Sequence, residues 1–151
     1  MTRKQQEQIL LTNKKALFDY EILEQFEAGI VLLGAEVKSL KQGKANLNGA
    51  YVVLKNNEAF LLNATISPYQ PQNMSQSYDP LRTRKLLLRR SELNYLYSKN
   101  KERGLTLIPL KVYNKNGLIK IQIALVRGKK KFDKRETIKR REEERRIKEA
   151  Y

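Results

Sequence analysis

The sequence predicts a mainly β domain. The expected architecture is a small closed or nearly closed barrel of about six antiparallel strands with two or three short helices, a β-sandwich being the alternative. Three observations predict it. Apolar and polar residues alternate over short runs, the period of a half-buried strand. Two pairs of such runs flank turn residues, Lys55 to Glu58 in one case and Asn116-Gly117 in the other. An Asn-Gly pair between alternating runs is the strongest short hairpin signal. Helical signals are few and brief.

In chain order, residues 1–12 are polar and carry few structural signals. Phe18, Tyr20 and Ile22 alternate with Asp19 and Glu21, which predicts a first strand. Phe26 to Gly34 reads as a second strand framed by glycines. Glu36 to Lys41, with Val37 and Leu40 three apart, predicts a short helix that stops before Gly43. Tyr51 to Leu54 and Ala59 to Leu62 form a hairpin. Pro68, Pro71 and Pro80 among Ser, Gln and Asn make residues 67–80 a loop. Arg82 to Arg90 fits either a strand or a helix. Ser91 is an N-cap candidate for a helix over Glu92 to Lys101, with Leu93, Leu96 and Tyr97 as its apolar stripe and Gly104 beyond its end. The second hairpin joins Thr106–Tyr113 to Leu118–Val126. Ile119, Ile121, Ile123 and Leu125 point to one face, with Lys120 and Gln122 on the other. No internal repeat is present.

The chain has 151 residues, one domain's worth, and 40% of them are hydrophobic. A domain of this size removes about 68–70% of its unfolded surface from water. There is no cysteine, so there is no disulfide framework, thiolate nucleophile or iron–sulfur site. There is no histidine, so imidazole bases, Ser-His-Asp triads and His-ligated metals are excluded. No apolar run approaches the roughly 18 residues a membrane helix needs, and the polar N-terminus is not followed by a signal-peptide stretch. These features predict a soluble, cytoplasmic chain.

Lys+Arg total 31 against 16 Asp+Glu, a net charge of +15 and a pI near 10.0. Excess charge bears on partners: nucleic acid first, an anionic membrane surface second. From Arg127 to Tyr151 there are 12 basic and 6 acidic residues, so +6, and the preceding residues carry +9. The body is therefore cationic even without its tail.

Three basic stretches stand out. Arg82 to Arg90 holds five cations and no acid in nine residues, and several must share a face. Arg127 to Arg135 is a run of the kind that binds backbone phosphates through counterion release. It leads into Lys134–Ala150, where Asp133 and Glu136 form a capping-box pattern and Glu142 and Glu144 precede Arg146 and Lys148 at i+4. That segment is expected to be disordered or fraying alone and helical on a polyanion. Asn13-Lys14-Lys15, on composition alone, reads as a flexible terminus. Tyr69 and Tyr78, in the proline-rich loop, are the exposed candidates for base stacking. Glu27 and Glu36 admit two readings: a carboxylate pair for acid/base or two-metal chemistry, or ordinary strand-end and helix N-terminal acids. Gly34 and Gly43-Lys44 do not have phosphate-loop spacing.

Taken in order, Asn13-Lys14-Lys15-Ala16, Phe26-Glu27-Ala28-Gly29-Ile30, Gly34 to Lys41, Arg84-Lys85-Leu86-Leu87-Leu88 and Gly128 to Arg135 resemble the motifs of the small protein B family, the tmRNA-binding (SsrA-binding) proteins of bacterial trans-translation. The match runs from Asn13 to Arg135.

The resemblance implies an oligonucleotide-binding (OB-type) β-barrel over residues 1–128. It implies a basic tail over 129–151, disordered alone and helical on the ribosome. It implies an adaptor, not an enzyme, with no cofactor and no metal, monomeric and away from membranes. The adaptor binds the tRNA-like domain of tmRNA and delivers it to stalled ribosomes, where the tail enters the empty mRNA channel near the small-subunit decoding centre.

The family's RNA-contacting positions match Asn13, Glu27 and Leu87. A carboxylate accepts hydrogen bonds from base or 2′-hydroxyl donors, and a leucine packs on an unstacked base. With the basic residues Lys14, Lys15, Lys38, Arg82, Arg84, Lys85, Lys129, Lys130 and Lys131 they make the expected RNA-binding set. Asp133, Lys134, Arg135 and Ile147 make the expected ribosome-binding tail. Two departures are Ala35, where the family often has a larger or hydroxylated residue, and Lys148 after Ile147, where a second apolar residue is common. The competing readings are a ribosomal or other structural RNA-binding protein on an OB-type barrel, and a metal-dependent nuclease using Glu27 and Glu36.

Overall fold

A computed structural model describes residues 7–70, 77–129, 141, 142 and 145. Its regular elements are β1 (Glu7–Thr12), α1 (Lys14–Asp19), β2 (Tyr20–Ile30), α2 (Gly34–Lys41), β3 (Ala45–Asn46), β4 (Tyr51–Lys55), β5 (Glu58–Leu62), β6 (Thr65–Ile66), β7 (Arg84–Leu87), α3 (Arg90–Asn100), β8 (Leu105–Lys115) and β9 (Leu118–Gly128). The fold is mainly β, as the alternation predicts. Strand pairing follows the order β8-β4-β5-β7-β2-β9 and returns from β9 to β8, a ring of six antiparallel strands. β1 adds outside the ring on β8, and β3 pairs with β6 separately.

Both predicted hairpins form. Asn56 and Asn57 (φ 54° and 59°) turn the first, and Asn116 and Gly117 (φ 52° and 84°) turn the second. Positive φ at both central residues matches the twist of the flanking strands, and Asn and Gly tolerate it best. The first turn is therefore tighter than the four residues expected, since Lys55 and Glu58 are themselves paired in the ladder. Pro109 sits inside β8 and cannot donate to the ladder; the register shifts directly after it, between Pro109 and Lys111.

The first expected strand is corrected. Lys14–Asp19 is helical, and the strand begins at Tyr20. Asn13 is the reason. Its side-chain oxygen accepts from the Ala16 N–H at 3.3 Å, an N-cap, while its amide nitrogen donates to the Pro109 carbonyl at 2.9 Å. This cap outweighs the alternation of Phe18 and Tyr20. From Tyr20 a single strand runs through Gly29, with a register shift between Ile22 and Glu24, in place of the two strands expected. Residues 7–12, expected to be featureless, form β1 because β8 offers them an edge to pair with. Arg82–Arg90 resolves into β7 and the start of α3. The N-cap of α3 is Arg89, not Ser91. The Glu92 carboxylate accepts from the Arg89 N–H at 3.1 Å, which draws the helix start back by two residues.

The ring encloses one core of Ala28, Val52, Ala59, Leu61, Leu86, Leu107, Ile121 and Ile123, with Leu96 of α3 and Leu40 of α2 packed into it. A second cluster lies on the other side of β8 and β9. There α1 covers Ile108, Leu110, Ala124 and Val126 with Ala16. β9 is thus buried on both faces toward its end, which strict alternation does not anticipate. Arg141, Glu142 and Arg145 are helical and exposed. Among the described residues no helix is long and apolar enough to cross a membrane.

Candidate nucleic-acid interface

Antiparallel register builds a row of side chains across the outer face of the ring. Leu87 of β7 stands opposite Gly29 of β2, Gly29 opposite Lys120 of β9, and Lys120 opposite Tyr113 of β8. Residues directly opposite on one face have neighbouring side chains. Glu27, two residues before Gly29, shares that face and pairs with Gln122.

Leu87 is 55% exposed, a large apolar side chain left in water. Gly29 is its floor: a Cβ at Gly29 would lie 3.3 Å from the Leu87 Cβ. Beside them the Glu27 carboxylate is exposed but held. The Tyr113 hydroxyl donates to Oε2 at 2.5 Å, and the Lys115 ammonium lies 3.3 Å from the same oxygen. The Tyr113 hydrogen bond, with lesser help from Lys115 and Lys120, outweighs the desolvation and holds Glu27 below the usual carboxylate range. Burial and the Glu27 partnership push the Tyr113 hydroxyl far up. The result is an acceptor biased toward its ionised form, with Oε1 turned less tightly to Lys115 (3.5 Å) and an apolar platform nearby. Such a pair suits an unstacked base and a base-edge or 2′-hydroxyl donor. Sequence reasoning missed Tyr113, Lys115 and Lys120 as members of this face. The Asn-Gly hairpin register was the signal that could have placed them.

Lys85 shares the outward side of β7 with Leu87, and the other expected residues lie elsewhere. Lys14 and Lys15 are exposed on α1. Lys85 is exposed and paired with Glu58 at 3.0 Å. Lys38 lies over the Tyr69 ring, 5.5 Å from its centroid. Lys129 is tied back to α1: its ammonium donates to the Leu17 carbonyl at 3.0 Å. Lys130, Lys131, Asp133, Lys134, Arg135 and Ile147 lie outside the described residues.

Two groups expected at the RNA-binding surface, Asn13 and Arg84, lie inside the fold. Asn13 is buried, capping α1 and bridging to β8. Arg84 has no exposed surface. It faces inward with Leu86, while Lys85 and Leu87 face out. Its guanidinium donates to Glu36 Oε2 at 2.6 and 3.0 Å, to the Ala64 carbonyl at 2.7 Å and to the Pro80 carbonyl at 3.1 Å. Arg82, partly exposed, donates to both Glu36 oxygens. The Tyr78 hydroxyl reaches Glu36 Oε2 at 2.9 Å, so Tyr78 is a partner in this cluster instead of a free stacking ring. Burial by itself would raise the Glu36 pKa, but donation from Arg82, the Leu33 N–H and Arg84 brings it down to about 2. Both oxygens of Glu36 are occupied by donors, so it is no partner to Glu27 in metal or acid/base chemistry. Among the described residues no group of three or more potential metal ligands occurs.

A family model described as SmpB protein matches residues 10–151. An SsrA-binding protein of Thermosynechococcus vestitus is 49% identical over 142 residues, covering 94% of this chain and 93% of its own. An SsrA-binding protein of Geobacillus kaustophilus is 50% identical over 143 residues, covering 95% and 92%. A chain of a solved structure described as "tmRNA-SmpB: a journey to the center of the bacterial ribosome" superposes with a TM-score of 0.67 at 46% identity, over 80% of this chain and 85% of that one.

Proposed function

The chain belongs to the SmpB protein family, and from that premise we propose that it is an RNA-binding adaptor of trans-translation. It binds the tRNA-like domain of tmRNA and delivers it to stalled ribosomes. The reading rests on the outer face of the ring, where the exposed Leu87 over Gly29 stands beside the ionised, Tyr113-held Glu27. That face offers a base platform and a polar acceptor. The ring of strands is read as a closed OB-type barrel over residues 1–128, acting in the cytoplasm and without catalysis. Lys14, Lys15, Lys38, Lys85 and Arg82 supply the surrounding cationic surface that phosphates require. Asn13 and Arg84 act from within, by fixing α1 and β7.

Residues 129–151 form the second functional part. Lys130, Lys131, Asp133, Lys134, Arg135 and Ile147 are assigned to the ribosomal mRNA channel and decoding centre. The testing experiment separates the two parts. Deleting residues 131–151 leaves affinity for the isolated tRNA-like domain unchanged and abolishes peptide tagging on stalled ribosomes. Tagging by the shortened chain, or affinity for the tRNA-like domain no better than for arbitrary duplex RNA, overturns the reading.

A further inference from the structure

The tail meets α1 at two places. Lys129, at its root, is fixed to the helix twice: its backbone N–H donates to the Asp19 carbonyl at 3.0 Å, and its ammonium donates to the Leu17 carbonyl at 3.0 Å. Farther along the chain, the Arg141 guanidinium lies 5.6 Å from the centroid of the Phe18 ring. A guanidinium over a ring face is attracted by the ring quadrupole. The tail thus starts on α1 and is again at α1 at Arg141.

The helix surface suits such a contact. Leu17 is 47% exposed and Phe18 is half-buried, so α1 presents apolar groups to solvent. Lys14 and Lys15 are exposed on the same short helix. Directly after Arg141 come Glu142, Glu143 and Glu144, three adjacent acids. The i+4 partners of Glu142 and Glu144 suit a helix, but three carboxylates together repel the phosphates of any RNA the tail would meet. They are complementary to the lysines of α1. A cationic tail is otherwise driven away from a cationic body.

Each contact is weak, because the groups are solvated. The tether compensates. The short span from Lys129 to Arg141 keeps Arg141 near α1 at an effective concentration on the order of millimolar.

We propose that α1 is a docking site for the chain's own tail. In the free protein Arg141 rests on Phe18, and the acids that follow it are attracted to Lys14 and Lys15. The tail must leave α1 before it can act on a ribosome. Only this release rests on the adaptor reading; the docking itself does not.

The chain has no cysteine, so two spin labels can be placed without background. They go on the full-length protein at Lys55→Cys, an exposed position at the end of β4, and at Lys139→Cys in the tail. Double electron–electron resonance then reads the distance between them. In the free protein one narrow distance population dominates. Phe18→Leu and Arg141→Gln each reduce that population about threefold, the worth of one exposed cation–π contact, whereas Phe18→Tyr retains it. In complexes with the tRNA-like domain that co-sediment with ribosomes, the narrow population gives way to a different distance. A broad distribution in the free protein, a narrow one indifferent to both Phe18→Leu and Arg141→Gln, or one unchanged in the ribosome-bound complex overturns the proposal. Failure of the adaptor reading is a different result: the free protein then still shows the docked distance and its response to Phe18→Leu, but no complex with the tRNA-like domain forms on ribosomes.

Discussion

Glu27 and Glu36 are nine residues apart in a cationic chain, and little in the sequence tells them apart. In the structure they are opposites. Glu36 is completely buried and takes hydrogen bonds from two arginines, a tyrosine and a backbone N–H. Glu27 is exposed and takes one short hydrogen bond from Tyr113, with a looser contact to Lys115. Both are held below the ordinary carboxylate range, yet only one has an oxygen to offer. A lowered pKa therefore does not mark a binding residue here. What sets Glu27 apart as the candidate is ionisation combined with incomplete satisfaction and exposure.

The comparison breaks most visibly in stability. Glu36→Ala leaves Arg84 buried with an uncompensated charge and costs about 3–5 kcal/mol in urea unfolding. Glu27→Ala removes only a surface contact and costs under about 1 kcal/mol. Equal losses would erase the distinction.

Acid sharpens the same contrast. Glu36 has a folded pKa of about 2 against an ordinary 4.5, so its stabilisation is fully present above about pH 4.5 and is lost as pH falls toward 2. The loss amounts to about 3 kcal/mol between these limits. Glu36→Gln removes that part of the acid dependence, as paired urea titrations at pH 6 and pH 2.5 will show.

The sheet face is read by RNA binding. Leu87→Ala weakens binding of the tRNA-like domain about tenfold, by losing apolar contact. The loss is the same at every salt concentration, because no phosphate contact is removed. A changed salt slope would move Leu87 out of the base platform. The smallest effect belongs to Tyr113→Phe, which frees the Glu27 carboxylate to wander. It lowers affinity about threefold, the worth of one modest hydrogen bond. The same change made in a Glu27→Ala background has no further effect, and an undiminished loss there would show that Tyr113 acts on its own.

Some of this was readable in advance for local reasons. The two hairpins follow from Asn56-Asn57 and Asn116-Gly117, residues that accept positive φ. Other features were present but masked. Arg84 alternates with Lys85 and in phase with Leu86, which puts it inside as soon as the segment is known to be a strand. The ambiguity between strand and helix hid that. Asn13 looked like part of a loose terminus because its partners, Pro109 and Leu47, are distant in sequence.

By itself the sequence determined the β class, the cationic surface, the absence of imidazole and thiol chemistry, and, through ordered motifs, the family. These are properties of composition, of period and of neighbours along the chain. Only the tertiary structure decided which glutamate is buried, which arginine is unavailable and that Leu87 lies over Gly29 beside Glu27. Those outcomes depend on which strands pair and in what register, and a shift of one residue exchanges inside for outside.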